Sequence, residues 1–410
     1  MAGRHLDTRG RSVIQASSYL ALNALLASGV GFVFWTLLSR TLEPSQVGLI
    51  STLTTTAPVI ATIASFGLPD SLIRFMPDSK DIKAFFSWVL LTVTLAAFAF
   101  AGAWLVIQLL TTENITIEVS GLTYSISLTV LVLSIALDTL ALAVLVAKRK
   151  SFLVLLETVI TSPLKVLAAL TLHSTTEFIL AISSIAALGF CISLICVLST
   201  GLSLRKPVSH RKLVTKFAFS NWISTSVSLI PKATLTVLVG TYLGLTQVAW
   251  ITVPMLILTA LNLPASTLSR GLFAEGSLEP NNLKRIARRT FITATTVTAL
   301  GAGAVAVLAP FILGIFGPLY VINSTAVLQI FCLASVLAVP NYVIDTILNI
   351  RKDTSGYMIV NVGGSVAILI AICVAVPFGV TDAAWGWVIG QFCYGLLACI
   401  MLVRKQHKPT

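Results

Sequence analysis

Five ionisable side chains stand where this sequence otherwise carries hydrocarbon. Lys232 lies near the middle of the apolar run 217–243, Asp138 inside 124–147, Glu157 and Lys165 inside 152–172, and Asp345 inside 326–349. A cation at bilayer depth costs roughly 2.5–3.5 kcal/mol even on the lenient insertion scale, so such a residue faces a bundle interior or a water-filled cavity. A desolvated carboxylate can take up and release a proton within the working pH range. Lysines that attract anions, together with acids that exchange a proton or sodium ion, are the chemistry of a transport path.

Spacing sharpens this reading. Ser224, Ser228, Lys232 and Thr236 recur every four residues, which stacks them on one helix face, with Pro231 beside the lysine to bend the axis. That face is expected to line a polar path between two bundles. Glu157, Thr161 and Lys165 share a face in the same way, with Pro163 as a kink. Two turns separate Glu157 from Lys165, a poor geometry for pairing, so a partner for Lys165 is expected from another helix or from substrate. Asp138 precedes the Lys148–Lys150 cluster by about 15 Å of helix rise, too far to reach water by stretching. In the first apolar run Asn23 sits near the centre among serines, and in the second Ser51, Thr55, Pro58, Thr62 and Ser65 form a stripe. The expected cavity residues are therefore Lys232, Lys165, Ser228, Ser224, Thr55 and Asn23. The expected ion-coupling residues are Asp138 first, Asp345 second, and Glu157 with them.

The elements that must hold these groups are membrane helices. The chain is 56% hydrophobic and 10% charged, with a mean hydropathy of +0.96. Twelve runs reach bilayer-spanning length, at 13–38, 48–69, 84–110, 124–147, 152–172, 178–200, 217–243, 247–269, 290–315, 326–349, 357–376 and 384–403. The fold class read from this is all-α and polytopic. The longest connectors, Gly201–Lys216 and Arg270–Arg289, are too short to hold an enzyme core.

The net charge of +12 is arranged by topology. Of the 27 Lys and Arg residues, all but Arg40, Lys165 and Lys232 fall on alternate connectors and the two tails. The positive-inside rule then places both termini in the cytoplasm of a cell-membrane protein and argues against a nucleic-acid partner. Cys191, Cys196, Cys332, Cys373, Cys393 and Cys399 lie within apolar runs, so no disulfide framework is expected. The four histidines are scattered, and neither a metal site nor a cofactor is expected. The charged residues before Val13 and the length of the first run read as an uncleaved anchor. Asn114-Ile-Thr116 and Asn323-Ser-Thr325 are expected on outside loops as glycosylation acceptors.

Two short echoes indicate an internal repeat. Asp138-Thr139-Leu140 returns as Asp345-Thr346-Ile347 at an offset of 207, and Leu42, Gln46 and Val47 return as Leu243, Gln247 and Val248 at an offset of 201. Offsets of about half the chain predict two six-helix lobes related by a pseudo-two-fold axis along the membrane normal. The expected boundaries are an N-terminal lobe at 1–205, a basic cytoplasmic linker at 206–216 and a C-terminal lobe at 217–410.

Four passages carry a family resemblance: Leu42–Gly48; Gly67-Leu68-Pro69-Asp70-Ser71-Leu72-Ile73-Arg74-Phe75; Ala309-Pro310 with Phe316-Gly317 and Tyr320; and Pro377-Phe378-Gly379 leading to Ala383-Ala384. In order and placement they resemble polysaccharide exporters of the multidrug/oligosaccharidyl-lipid/polysaccharide (MOP) superfamily. The resemblance implies two lobes around a central cavity, alternating access, and flipping of a glycan linked to a polyprenyl diphosphate. It implies as partners the lipid-linked glycan, membrane lipids, a coupling proton or sodium ion, and a glycan polymerase or glycosyltransferases. Asp382 departs from the family pattern, in which glycine precedes the Ala-Ala pair. Lipid II flippases resemble the architecture but carry several cavity arginines, whereas the deep cations here are Lys165 and Lys232, which can pair with a diphosphate or an acidic sugar. The alternatives are a multidrug or metabolite cation antiporter of the same fold and, further off, a membrane glycosyltransferase or a non-transporting scaffold.

Overall fold

The structure is a computed structural model and describes residues 2–76, 82–111, 120–202, 212–351 and 353–404. Most of the expected linker at 206–216, the Asn114 sequon and the connector residues Asp78, Lys80 and Asp81 lie outside the described residues. The described chain is helical, and twelve of its helical segments are long and apolar enough to cross a membrane. This is a multi-pass membrane protein.

The helices run past the apolar runs that predict them. Among them, α11 (Leu283–Gly314) has 32 residues and α12 (Pro318–Ile350) has 33, about 48–50 Å of helix rise against a hydrocarbon core of about 30 Å. The excess is polar or charged sequence that hydropathy alone assigns to loops, but a helix entering the headgroup zone satisfies its own backbone groups and gains by continuing. The long connector expected at 270–289 is thereby corrected. Arg270 is on α10 (Leu263–Leu278), Lys284–Arg289 are on α11, and only a short turn at Pro280–Asn282 joins the two helices. The loop position expected for Asn323 is corrected as well. It lies inside α12, where its side-chain amide donates to the Leu319 carbonyl at 2.8 Å.

The chain forms two compact units, one of residues 1–42 and 53–226, the other of residues 43–52 and 227–410. In unit 1, α1 (Ala2–Thr41) packs on α6 (Ser151–Thr171), and α5 (Gly121–Ala147) packs on α4 (Ile82–Thr111) and α7 (Thr175–Ser199). Helix α2 (Pro44–Ala64) stops at Phe66 and Gly67, both with positive φ (47° and 65°), and α3 (Leu68–Phe75) restarts with proline in its first turn. The break is held by α8 (Lys212–Leu243). Trp222 Nε1 donates to the Ile63 carbonyl at 2.8 Å, and the Trp222 ring packs 5.5 Å from Phe66. A Cβ on Gly67 would run into the Ala218 carbonyl, so glycine is required there for its close approach as well as its φ. Outside the spans, Lys148 at the end of α5 donates to the Thr200 carbonyl and hydroxyl at 3.2 and 2.7 Å, tying α5 to the C-terminal end of α7. Partial burial, and then Lys150 beside it, lower the pKa of that ammonium below the usual lysine range.

In unit 2 the second repeat shows the same punctuation. Helix α9 (Leu245–Leu261) ends at Asn262, and α10 restarts on Leu263-Pro264-Ala265-Ser266, the counterpart of Leu68-Pro69-Asp70-Ser71 in α3. The core of this unit gathers Leu235, Val239, Val248, Ile251, Phe331, Ile368 and Ile372 from α8, α9, α12 and α13 (Thr354–Ala375), closed by Ala383 and Ala384 of α14 (Val380–Arg404). The first turns of α2 also belong here. Ser51 and Thr252, which share the 201-residue offset of the sequence echo, bond hydroxyl to hydroxyl at 2.6 Å. Repeat-equivalent residues thus meet each other directly.

Candidate functional site

The five ionisable groups of the apolar runs line two cavities, one inside each unit, and Lys165 among them stays exposed. In unit 2, α8, α9, α10, α12, α13 and α14 surround a cavity of about 440 Å³. Lys232 enters it from α8, and its Nζ donates to the Thr259 hydroxyl of α9 at 3.1 Å. A lysine there is tolerated because its ammonium meets a hydroxyl and opens onto a cavity whose lining includes amide, hydroxyl and carboxyl groups. Thr259 in turn donates to the Met255 carbonyl at 2.8 Å, which fixes the acceptor.

Asp345 enters the same cavity from α12. The Asn361 amide of α13 donates to its Oδ1 at 3.1 Å and to the Tyr357 carbonyl at 3.0 Å. Tyr394 of α14 places its hydroxyl 3.3 Å from Asp345 Oδ2 and 2.9 Å from Asn361 Oδ1. A phenol has one proton to give. With Asp345 ionised, that proton is shared between two acceptors. With Asp345 protonated on Oδ2, the acid donates to the tyrosine oxygen and the tyrosine proton goes wholly to Asn361. The arrangement can therefore complete its hydrogen bonds in either charge state.

The network depends on a glycine. A Cβ on Gly364 of α13 would fall into the Tyr394 ring, so only glycine lets that ring lie flat on the helix. Gly364→Ala is expected to cost about 1–3 kcal/mol of stability by overpacking. Thermal unfolding in detergent checks this, and the cost should shrink when Tyr394→Leu is combined with it, since the two sites are in contact.

Amides complete the lining. Asn341 donates to Gln391 Oε1 at 2.9 Å, yet Asn341 Oδ1 and Asn262 Oδ1 are buried acceptors without a hydrogen-bond partner among the described residues. Trp387 and Tyr342 add aromatic faces, and Ser228, Ser266 and Ser365 add hydroxyls.

The unit 1 cavity is smaller, about 130 Å³, and holds Asp138 of α5 with Glu157, Thr161 and Lys165 of α6. Glu157 is buried, accepting from the hydroxyls of Thr158 and Thr161 at 3.1 Å each. Gly189 of α7 leaves room for it, since a Cβ there would lie 2.8 Å from Glu157 Oε1. Asp138 Oδ1 is buried without a hydrogen-bond partner among the described residues.

Of the residues expected from sequence, Lys232, Ser228 and Asp345 are brought together in unit 2, and Asp138, Glu157 and Lys165 in unit 1. Asn23 on α1 and Thr55 on α2 are half-buried and line neither cavity, and the side chain of Ser224 lies outside the described residues. Sequence reasoning missed Asn361, Tyr394, Asn341, Gln391 and Trp387. The signal was available, because amides within the runs 326–349, 357–376 and 384–403 need partners in hydrocarbon as acids do.

Two helical units, each with a polar cavity holding a carboxylate and a lysine among membrane-length helices, define the class as a helical membrane protein built to hold charge at depth. No protein-family model matches the chain, and no curated protein matches it by sequence. Solved structures do. A multidrug resistance MATE family transporter of the MOP superfamily, in an inward-facing conformation, superposes with a TM-score of 0.73 at 13% identity, over 96% of this chain and 100% of its own. The lipid II flippase MurJ, in an inward closed conformation, gives 0.79 at 13% identity over 97% and 88%. A MOP superfamily transporter from Pyrococcus furiosus, described by the reversed polarity of its binding pocket, gives 0.68 at 12% identity over 96% and 95%. The chain has the fold of the MOP superfamily transporters.

Proposed function

We propose that this protein is an ion-coupled flippase that carries a polyprenyl-diphosphate-linked oligosaccharide or polysaccharide precursor across the cytoplasmic membrane by alternating access, with both termini cytoplasmic. The observation that carries this reading is the unit 2 cavity. Its amides Asn262, Asn341 and Gln391 suit the hydroxyls of a sugar, its aromatic side chains suit sugar rings, and Lys232 supplies one cation for a phosphate or an acidic sugar. A sugar brings many donors and an anionic group in one molecule. Asp345 serves as the coupling carboxyl in unit 2, and Asp138 with Glu157 occupies the corresponding role in unit 1. Proteins that build or polymerise the glycan would supply the substrate and take up the product.

A second reading has one observation in its favour: the Asp345 carboxylate faces the same cavity and would attract an organic cation, as in a multidrug or metabolite antiporter. The two readings separate in proteoliposomes. Lys232→Gln is expected to slow flipping of a fluorescent lipid-linked glycan by roughly 10- to 100-fold, the loss of a charge-assisted contact, while Lys232→Arg retains most of it. An antiporter would instead move ethidium, lose that activity with Asp345, and keep it when Lys232 is neutralised.

A further inference from the structure

We propose that unit 2 carries a second site, separate from the transport cavity, which binds the phosphate headgroup of an anionic phospholipid in the pocket where the ends of α10, α11 and α12 meet. The pocket measures about 570 Å³, and its polar lining comes from Lys284 and Arg351 with Asn281, Asn349 and Ser277. It is separate because it shares no lining residue with the cavity around Lys232 and Asp345.

Its floor is closely built. A Cβ on Gly276 would lie 2.8 Å from the Leu283 side chain and 2.9 Å from that of Ile350, so the three helix ends are clamped below the polar mouth. The wall is apolar: Phe273 lines the pocket and is half exposed, and the neighbouring Leu278 is 84% exposed. Two cations beside exposed apolar side chains fit a headgroup whose first acyl methylenes stay with it. A free phosphate would use the mouth alone.

The charge pattern asks for an anion. Lys284, Arg285, Arg288 and Arg289 crowd the opening turns of α11, and no acid stands in its first turn. That end of a helix already carries partial positive charge, so four cations there repel both the helix and one another. The nearest acids in sequence are Glu275 and Glu279 before α11 and Asp353 after Arg351. Glu279 accepts from the Asn282 amide at 3.0 Å. Among the described residues, neither Lys284 nor Arg351 has an ion-pair partner. Placement on the cation-rich side explains why basic residues gather here, but not why two of them line a walled pocket with three hydrogen-bonding neighbours.

The test uses the full-length protein in detergent, titrated with short-chain phosphatidylglycerol, phosphatidylcholine or inorganic phosphate, with bound molecules counted by native mass spectrometry. Phosphatidylglycerol should bind saturably and phosphatidylcholine should not. Lys284→Gln with Arg351→Gln should weaken phosphatidylglycerol binding roughly 30-fold, about fivefold for each cation near the surface. Ser277→Phe, which fills the mouth and keeps every charge, should weaken it comparably, and so tests the pocket even if the double variant does not fold. Arg288→Gln with Arg289→Gln should weaken it less than fivefold. Equal losses in the two charge variants, or full binding to Ser277→Phe, would overturn the site in favour of diffuse surface attraction. Inorganic phosphate displacing the lipid at matching concentration would overturn the lipid as occupant.

Discussion

Asp345→Asn is expected to abolish gradient-driven transport while leaving substrate binding in place. The asparagine keeps the shape and the acceptor that receives the Asn361 amide, and its NH₂ group can donate to the Tyr394 oxygen as the protonated acid would. The substitution therefore fixes the neutral state of the network. Transport driven by an imposed proton or sodium gradient in proteoliposomes should fall roughly 100-fold, equivalent to about 2.7 kcal/mol, and what remains should no longer vary with pH. Glycan binding, followed by quenching of the cavity-lining Trp387, should stay within severalfold of the parent. Continued stimulation by the gradient in this variant would remove Asp345 from the coupling role. Asp138→Asn run in parallel assigns the unit that carries the ion, and unchanged pH dependence there would exclude Asp138.

The largest effect on stability is expected at Gly48. A Cβ at this position would run into the carbonyl of Leu245, where the first turns of α2 cross the start of α9 within unit 2, one turn from the Ser51–Thr252 hydroxyl pair. The obstacle is backbone and cannot rotate aside. Gly48→Ala should therefore reach the upper end of overpacking costs, about 3 kcal/mol, and lower the Tm by roughly 6–12 °C for units of this size. Gly29→Ala is the matched control, because a Cβ there meets nothing within 4 Å. Equal melting of the two variants would show that the crossing is looser than the structure has it.

These crossings explain what the sequence could and could not reveal. Twelve spans were legible because hydropathy over twenty residues is a local property that the bilayer reads directly. Deep Lys and Asp residues stood out for the same reason, since one charge in a long apolar run is conspicuous. Helix ends were less legible: Lys284–Arg289 looks like a loop by charge, yet it continues α11 because a helix pairs its own backbone wherever it runs. The Leu-Pro-x-Ser echo between α3 and α10 is plain once both restarts are seen, but as four letters it carries little weight alone.

By itself, then, the sequence determined the membrane class, the number of spans, the repeat and the few charges that must be sheltered, because each depends on composition along a single helix. Only the tertiary structure decided which charges share a cavity. It joined Lys232 to Asp345 across more than a hundred residues of chain, brought Asn361 and Tyr394 to the carboxylate, and gathered Asp138 with Lys165 apart from them. Periodicity gives the face of a helix but not the neighbour it meets. That neighbour is set by packing, by places such as Gly48 and Gly364 where a missing side chain lets another group come close.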